Sequence, residues 1–176
     1  MRVFVFLAVL FIFLVAQTTA FHFAPAMAPW PDFALLLTIY AGLKWGKFGG
    51  IQFGAVAGLM QDFLSYETMG IYFCSKAAVG FIVGKLNDEY IHDTTIAKIV
   101  LVVSATFLDA FMFAALMQTF IGYNVTSGIL SSIIGLAIIN VAFSFVAFPM
   151  MGWIDSWLDK LQGKTSQKFF DLSNGE

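Results

Sequence analysis

The stretch of sequence that decides the fold is GKFGGIQFGAVAGLMQD, residues 46–62 of a chain of 176. It places four glycines and then an aspartate at intervals of four residues: Gly46, Gly50, Gly54, Gly58 and Asp62. Four residues turn an α-helix by about 400°, so these glycines form one slanted stripe on the helix surface. Small residues at this spacing let two helices approach closely in a lipid bilayer. We therefore predict a membrane helix that packs through this glycine stripe.

A second glycine pair with the same spacing, Gly80 and Gly84, follows in the next apolar segment. Two roles are open for both sets of glycines. They either pack helices together within one chain or form a surface for a partner protein.

The composition is that of an integral membrane protein. Hydrophobic residues make up 60% of the chain and charged residues only 11%, whereas soluble domains carry about 25% charge. The single cysteine, Cys74, excludes an internal disulfide, and the two histidines, His22 and His92, lack metal-ligand spacing. No nucleotide-binding or hydrolase motif is present, and no basic patch suggests nucleic acid. We expect no catalytic residue, metal or cofactor.

Apolar runs predict an all-α fold, because a bilayer core about 30 Å thick needs roughly 20 residues of helix. We predict six transmembrane helices within residues 1–152, an interfacial amphipathic helix over 153–162 and a polar cytoplasmic tail over 163–176. The first run could also be a signal peptide, but it is longer than a usual signal core. The six predicted spans cover residues 3–20, 32–45, 48–64, 70–86, 96–120 and 129–151.

Positive charge predicts the orientation of these spans, because lysine and arginine beside transmembrane segments stay on the cytoplasmic side. Eight of the nine basic residues fall at the chain ends or in alternate gaps between spans, and both termini are therefore expected in the cytoplasm. These residues are Arg2, Lys44, Lys47, Lys85, Lys98, Lys160, Lys164 and Lys168.

Four ionisable residues lie in or near the spans: Asp32, Asp62, Lys76 and Asp109. A lone charge in a membrane costs a few kcal/mol or more, so each should face the interior with a partner. They serve either a structural salt bridge or a substrate or ion site. Asp32 follows a proline and is expected to cap a helix. We predict that Lys76 pairs with Asp62, with Glu67 as the competing partner.

Two polar residues are predicted at mid-membrane depth, Asp109 in the fifth span and Asn140 in the sixth. We expect their side chains to meet there by hydrogen bonding. Lys76 reaching inward is the alternative partner for Asp109.

Several of these features together resemble the MreD family of bacterial rod-shape-determining membrane proteins. The resemblance spans roughly residues 15–85, and its residues are Gln17-Thr18-Thr19, Pro31-Asp32, Tyr40, Gly42, the segment GIQFGAVAGLMQD at 50–62, and Gly70. It implies a non-enzymatic inner-membrane scaffold of the cell-elongation (rod) complex that helps control peptidoglycan synthesis and cell shape. It further implies MreC as a partner, alongside MreB, RodA and a class-B penicillin-binding transpeptidase.

The MreD fold is similar to that of the substrate-binding components of energy-coupling-factor transporters, which supplies an alternative. A vitamin-uptake component would need an aromatic-lined polar pocket near its outer face. Residues that could supply one are Trp30, Asp32, Asp62, Tyr66, Tyr72 and Lys76.

Overall fold

The computed structural model describes residues 2–23, 30–65, 70–90, 95–122 and 129–173, and all regular structure in these residues is helical. The all-α prediction is therefore confirmed. The five helices are α1 (Arg2–Phe23), α2 (Phe33–Leu64), α3 (Ile71–Tyr90), α4 (Thr95–Ile121) and α5 (Ile129–Ser173).

Helix α2 contains the second and third predicted spans as two arms, residues 33–45 and 47–64, that meet at Gly46. The backbone of Gly46 has φ 68° and ψ −168°, a conformation that only glycine adopts readily. The arms lie against each other, because a Cβ built on Gly50 would lie 3.0 Å from the Gly42 Cα. Gly46 thus provides the sharp turn of a helical hairpin.

The first arm of α2 forms the centre of the bundle. Its buried residues are apolar except for Thr38, and a helix that is apolar nearly all round is stable only when it is covered on every side. Residues 34–39 are all buried. Leu37 belongs to a core cluster with α1 and α5, whereas Leu36 belongs to a second cluster with α3, α4 and α5.

Helix α1 covers one side of this central arm. Phe6, Leu10 and Leu14 are spaced four residues apart, so they share one face of α1, and all three are buried. The Phe6 ring stacks on Tyr40 with 6.0 Å between ring centroids and meets the Trp45 ring edge-on at 5.1 Å. This first apolar run is thereby an integral part of the hydrophobic core.

Helix α5 passes without a break from the sixth predicted span into the predicted amphipathic helix and on to Ser173. The proposed boundary at residue 152 does not coincide with a helix end. Trp153 and Trp157 are exposed, but Asp155 is buried. Its carboxylate lies 3.5 Å from Lys44 Nζ, which compensates its charge.

Within the described residues, two helical segments are long and apolar enough to cross a membrane by length and composition, Thr95–Phe120 and Ser132–Lys160. The apolar part of α1, Val5–Thr19, is shorter. Both arms of α2 are short because Gly46 divides the helix, and α3 carries Lys76 and Lys85 among its apolar residues. The six-span topology accordingly stays a prediction.

Candidate functional site

A buried ammonium group on α3 contacts two buried carboxylates from other helices. Lys76 is fully buried, and its Nζ lies 2.7 Å from Asp32 Oδ2 and 2.9 Å from Asp109 Oδ2. We call these three residues the ion cluster. The Lys76 ammonium also lies 5.5 Å from the centre of the Tyr72 ring, an arrangement that favours a cation.

Asp32 belongs to the cluster because it begins the central arm of α2. Its Oδ1 accepts the backbone N–H of Leu35 at 2.9 Å, which is the N-cap contact expected from the sequence. Its other oxygen, Oδ2, faces Lys76. One carboxylate therefore satisfies a helix N-terminus and a buried cation at the same time.

Asp109 lies near the middle of α4, and both of its carboxylate oxygens have donors. Lys76 donates to Oδ2, and the Ser75 hydroxyl donates to Oδ1 in a short hydrogen bond. The Ser75 hydroxyl also lies 3.2 Å from the Asp109 carbonyl oxygen. Two consecutive residues of α3 thus hold one residue of α4.

Asn140 attaches α5 to the same network. Its Oδ1 accepts the backbone N–H of Asp32 at 2.9 Å, and its Nδ2 donates to Thr106 Oγ1 at 3.2 Å. Thr106 in turn donates to the Val102 carbonyl of α4 at 2.8 Å. Asn140 and Thr106 are both fully buried, so the network joins α2, α3, α4 and α5 in the interior.

The electrostatics of the cluster suit a structural junction. Two carboxylates and one ammonium give a formal charge of −1, and the N-terminus of α2 adds roughly half a positive charge. Each charged group is directed at a partner inside the chain, as groups buried away from water require. Among the described residues, no group of three His, Cys, Asp or Glu side chains is placed to hold a metal ion.

Asp62 has a different partner from the one predicted, and the pairing of Asp62 with Lys76 is wrong. Its carboxylate accepts the backbone N–H groups of Gly70 and Tyr72 at 3.0 Å each and of Phe73 at 3.1 Å. The first N–H groups of a helix have no intrahelical acceptor, and Asp62 supplies one for α3. Glu67, the competing partner, lies outside the described residues, as does Tyr66.

The predicted hydrogen bond between Asp109 and Asn140 is wrong, although both residues belong to the same buried network. Asn140 binds Asp32 and Thr106, whereas Asp109 binds Ser75 and Lys76. The alternative partner, Lys76 reaching inward, is the one that Asp109 contacts.

The glycines of α2 and α3 lie against each other's backbones. A Cβ added to Gly50, Gly54 or Gly58 would overlap the carbonyl oxygen of Gly80, Lys76 or Tyr72, respectively. Gly80 meets the Gly50 carbonyl, and Gly84 lies against the backbone of Gly46 and Lys47. Both glycine sets therefore pack within the chain. This contact also positions the ion cluster, since Gly54 touches the Lys76 backbone.

Two contributors were missed by sequence reasoning, Ser75 and Thr106, and Gly42 was singled out only as part of the family resemblance. Thr106 lies three residues before Asp109 on the same face of α4, so helical spacing could have indicated it. No such signal marks Ser75, because it directly precedes Lys76 and consecutive residues do not share a helix face. Gly42 lies four residues before Gly46, and a Cβ on it would lie 3.0 Å from Val83 Cγ1. Extending the stripe backwards by one step would have included it.

Comparison with known proteins gives one match. A family model described as rod shape-determining protein MreD matches residues 1–158. This region contains the ion cluster, its hydrogen-bond partners and both glycine sets. No curated protein and no solved structure matches the chain.

Proposed function

Because the chain belongs to the MreD family of rod shape-determining membrane proteins, we propose that it is a non-enzymatic scaffold of the bacterial cell-elongation complex. The family match over residues 1–158 is the observation that carries this proposal. In this role the protein binds MreC and helps control peptidoglycan synthesis and cell shape. MreB, RodA and a class-B penicillin-binding transpeptidase are its further partners through the complex.

The interior contacts support a scaffold role. Lys76 and its two carboxylates bind one another, and Asp62 binds the start of α3. Three of the groups that the transporter alternative would use to bind a vitamin, Asp32, Asp62 and Lys76, are thus engaged within the chain. A scaffold needs a fixed outer surface, and the ion cluster and glycine contacts hold four helices in fixed register.

The proposed topology has six spans in the inner membrane, with both termini in the cytoplasm. The two arms of α2 supply the second and third spans, and α1, α3, α4 and α5 supply the others. Residues 1–152 then form the transmembrane domain, 153–162 an interfacial extension of α5 and 163–176 a cytoplasmic tail. The proposed fold similarity is to the substrate-binding components of energy-coupling-factor transporters.

Complementation tests this function. The chain, tagged at its C-terminus, is expressed in rod-shaped bacteria that lack their own MreD, together with the MreC from its own source. We expect rod shape to return and MreC to co-purify with the tagged chain. Spherical cells and no recovered MreC, with the chain abundant in the membrane, would refute the proposal. Vitamin bound to the purified protein would favour the transporter alternative instead.

Two variants connect the test to the structure. Gly54→Leu places a side chain against the Lys76 backbone and should abolish both rod shape and MreC recovery. Val56→Leu lies on the same arm of α2 but is 39% exposed, so it should behave as the unmodified chain does. Membrane abundance is measured for both variants, to separate lost assembly from lost protein.

A further inference from the structure

A cavity of about 650 Å³ lies at the end of the bundle where the first arm of α2 finishes. Its walls come from α2, α3, α4 and α5, so it is a pocket between helices rather than a groove along one of them. The ion cluster lies at the opposite end of the same arm, at Asp32. The two sites therefore share no side chain.

The cavity is basic at its rim. Lys44 from α2 and Lys98 from α4 both line it, and its described lining residues include no acid. Lys44 is 54% exposed at its side chain, so its ammonium can reach a ligand as well as Asp155, whose carboxylate lies 3.5 Å away. Two lysines from separate helices at one cavity provide a site for an anionic group.

Hydrogen-bonding groups accompany the lysines. Thr95 and Asn87 line the same cavity. The Asn87 amide donates to the Leu43 carbonyl at 3.0 Å, which fixes α3 against the end of the central arm and leaves the amide oxygen available. The polar part of the cavity is therefore held in place by the fold.

The remaining wall is apolar and aromatic. Phe145 and Phe148 of α5 face the cavity, and Phe145 is 54% exposed, which places an aromatic surface at the boundary between the pocket and the outside of the bundle. A ligand that fits this arrangement has an anionic head and a hydrocarbon portion that leaves along α5. The cavity volume is within the range of small-ligand sites, which runs from about 300 to 1,000 Å³.

We propose that this cavity binds the phosphate group of an anionic membrane lipid. The phosphate lies between Lys44 and Lys98, and the first part of the acyl chains lies against Phe145 and Phe148. Basic pockets between transmembrane helices are known to take anionic headgroups, and long lysine side chains at helix ends reach the headgroup level. The surrounding bilayer is the source of such a ligand for a membrane protein.

Native mass spectrometry of the full-length protein tests the site, with phosphatidylglycerol as the probe and phosphatidylcholine as the neutral comparison. We expect retained phosphatidylglycerol and several-fold less phosphatidylcholine. Each of Lys44→Gln and Lys98→Gln should weaken phosphatidylglycerol binding roughly fivefold, and the double variant about 25-fold. Lys85→Gln is the matched control, because this exposed lysine lies outside the cavity lining. Equal losses for Lys85→Gln would overturn the proposal.

A further variant tests the cavity itself and leaves both lysines unchanged. Gly152 lines the cavity, and a Cβ on it would meet no atom within 4 Å. Gly152→Phe should therefore fill the pocket without disturbing the fold and should remove phosphatidylglycerol binding. Unchanged binding would place the lipid elsewhere on the surface.

Glycerol phosphate and inorganic phosphate distinguish the possible sources of the anion. If the lipid is the ligand, a millimolar concentration of either should not displace phosphatidylglycerol. Displacement by either would show that the site takes a soluble phosphate, which contradicts the lipid assignment.

Discussion

Lys76 Nζ lies 2.7 Å from Asp32 Oδ2 although the two residues are 44 positions apart in the chain. This contact joins the body of α3 to the first residue of the central arm of α2. That arm is only about 20 Å long at 1.5 Å per residue, so its N-terminus lies within the bundle, at the level of Asp109. A helix start is positive, as is the lysine, and this explains why two carboxylates accompany one ammonium.

Removing the Lys76 ammonium should lower the free energy of unfolding of the protein. Lys76→Met leaves two adjacent buried carboxylates without a cation, and we expect a loss of about 3–5 kcal/mol in the free energy of unfolding. Lys85→Met, on an exposed face of the same helix, should change it by less than about 0.5 kcal/mol. Denaturant unfolding in detergent measures both. Equal effects would mean that the Lys76 pairs contribute nothing to stability.

Asp62 and Lys76 should behave as independent sites. Asp62 binds the start of α3 and Lys76 binds Asp32, so the losses for Asp62→Asn and Lys76→Met should add within about 0.5 kcal/mol. The pair Asp32→Asn and Lys76→Met should instead be less harmful together than the sum of the two. The observed pairing would be contradicted if the stability losses of Asp32→Asn and Lys76→Met were additive while those of Asp62→Asn and Lys76→Met were not.

These pairings show what the sequence could predict at this site. Burial of Asp32, Asp62, Lys76 and Asp109 followed from the cost of charge in an apolar segment, and all four are buried. The partner of each charged residue could not be predicted in this way. Residue number gives the depth of a side chain along its helix, but the direction in which that side chain points depends on how the helix packs against its neighbours. Asp62 also competes for backbone N–H groups of α3, and no sequence pattern reveals that competition.

The helices were predictable to a similar extent. Apolar runs placed each helix within a few residues, but the gap between the second and third runs concealed a single-residue turn. Gly46 was predicted as the first glycine of the helical stripe, whereas it has a non-helical backbone and reverses the chain. The sequence predicts helix on both sides of residue 152, and polar composition does not distinguish a separate interfacial helix from an extension of the same one.

Glycine packing gives a prediction that a single methyl group can test. Gly54→Ala would push a Cβ into the Lys76 carbonyl, and overpacking of this kind costs about 1–3 kcal/mol. Gly152→Ala meets no neighbouring atom, so it should be neutral or stabilise by up to about 1 kcal/mol through the lower chain entropy. Thermal unfolding of the two variants in the same detergent compares them. A Gly54→Ala variant as stable as Gly152→Ala would show that the helices separate at no cost.

The membrane topology makes a prediction for reporter fusions. The lysine distribution predicts that Gly163 lies in the cytoplasm and that Gly122, between α4 and α5, lies on the opposite side. A phosphatase that is active only outside the cytoplasm should therefore be active when fused after Gly122 and inactive after Gly163. The reverse pattern at both positions would mean that the charge bias misleads.

Substitution of Asn140 should weaken the attachment of α5 to α2 and α4. Asn140→Leu has nearly the same volume but leaves the Asp32 N–H without its acceptor and Thr106 without its donor. A buried N–H left unpaired costs about 1–3 kcal/mol, so we expect a loss in this range. Ile138→Leu, on the exposed side of α5, is the control and should change the free energy of unfolding little.

A double variant tests the Asn140–Thr106 hydrogen bond itself. Thr106→Val should cost less free energy of unfolding in the Asn140→Leu variant than in the unmodified chain, because the hydrogen-bond partner of Thr106 is already absent there. Full additivity of these two substitutions, measured by denaturant unfolding, would show that the Asn140–Thr106 hydrogen bond does not contribute to holding α5 against α4.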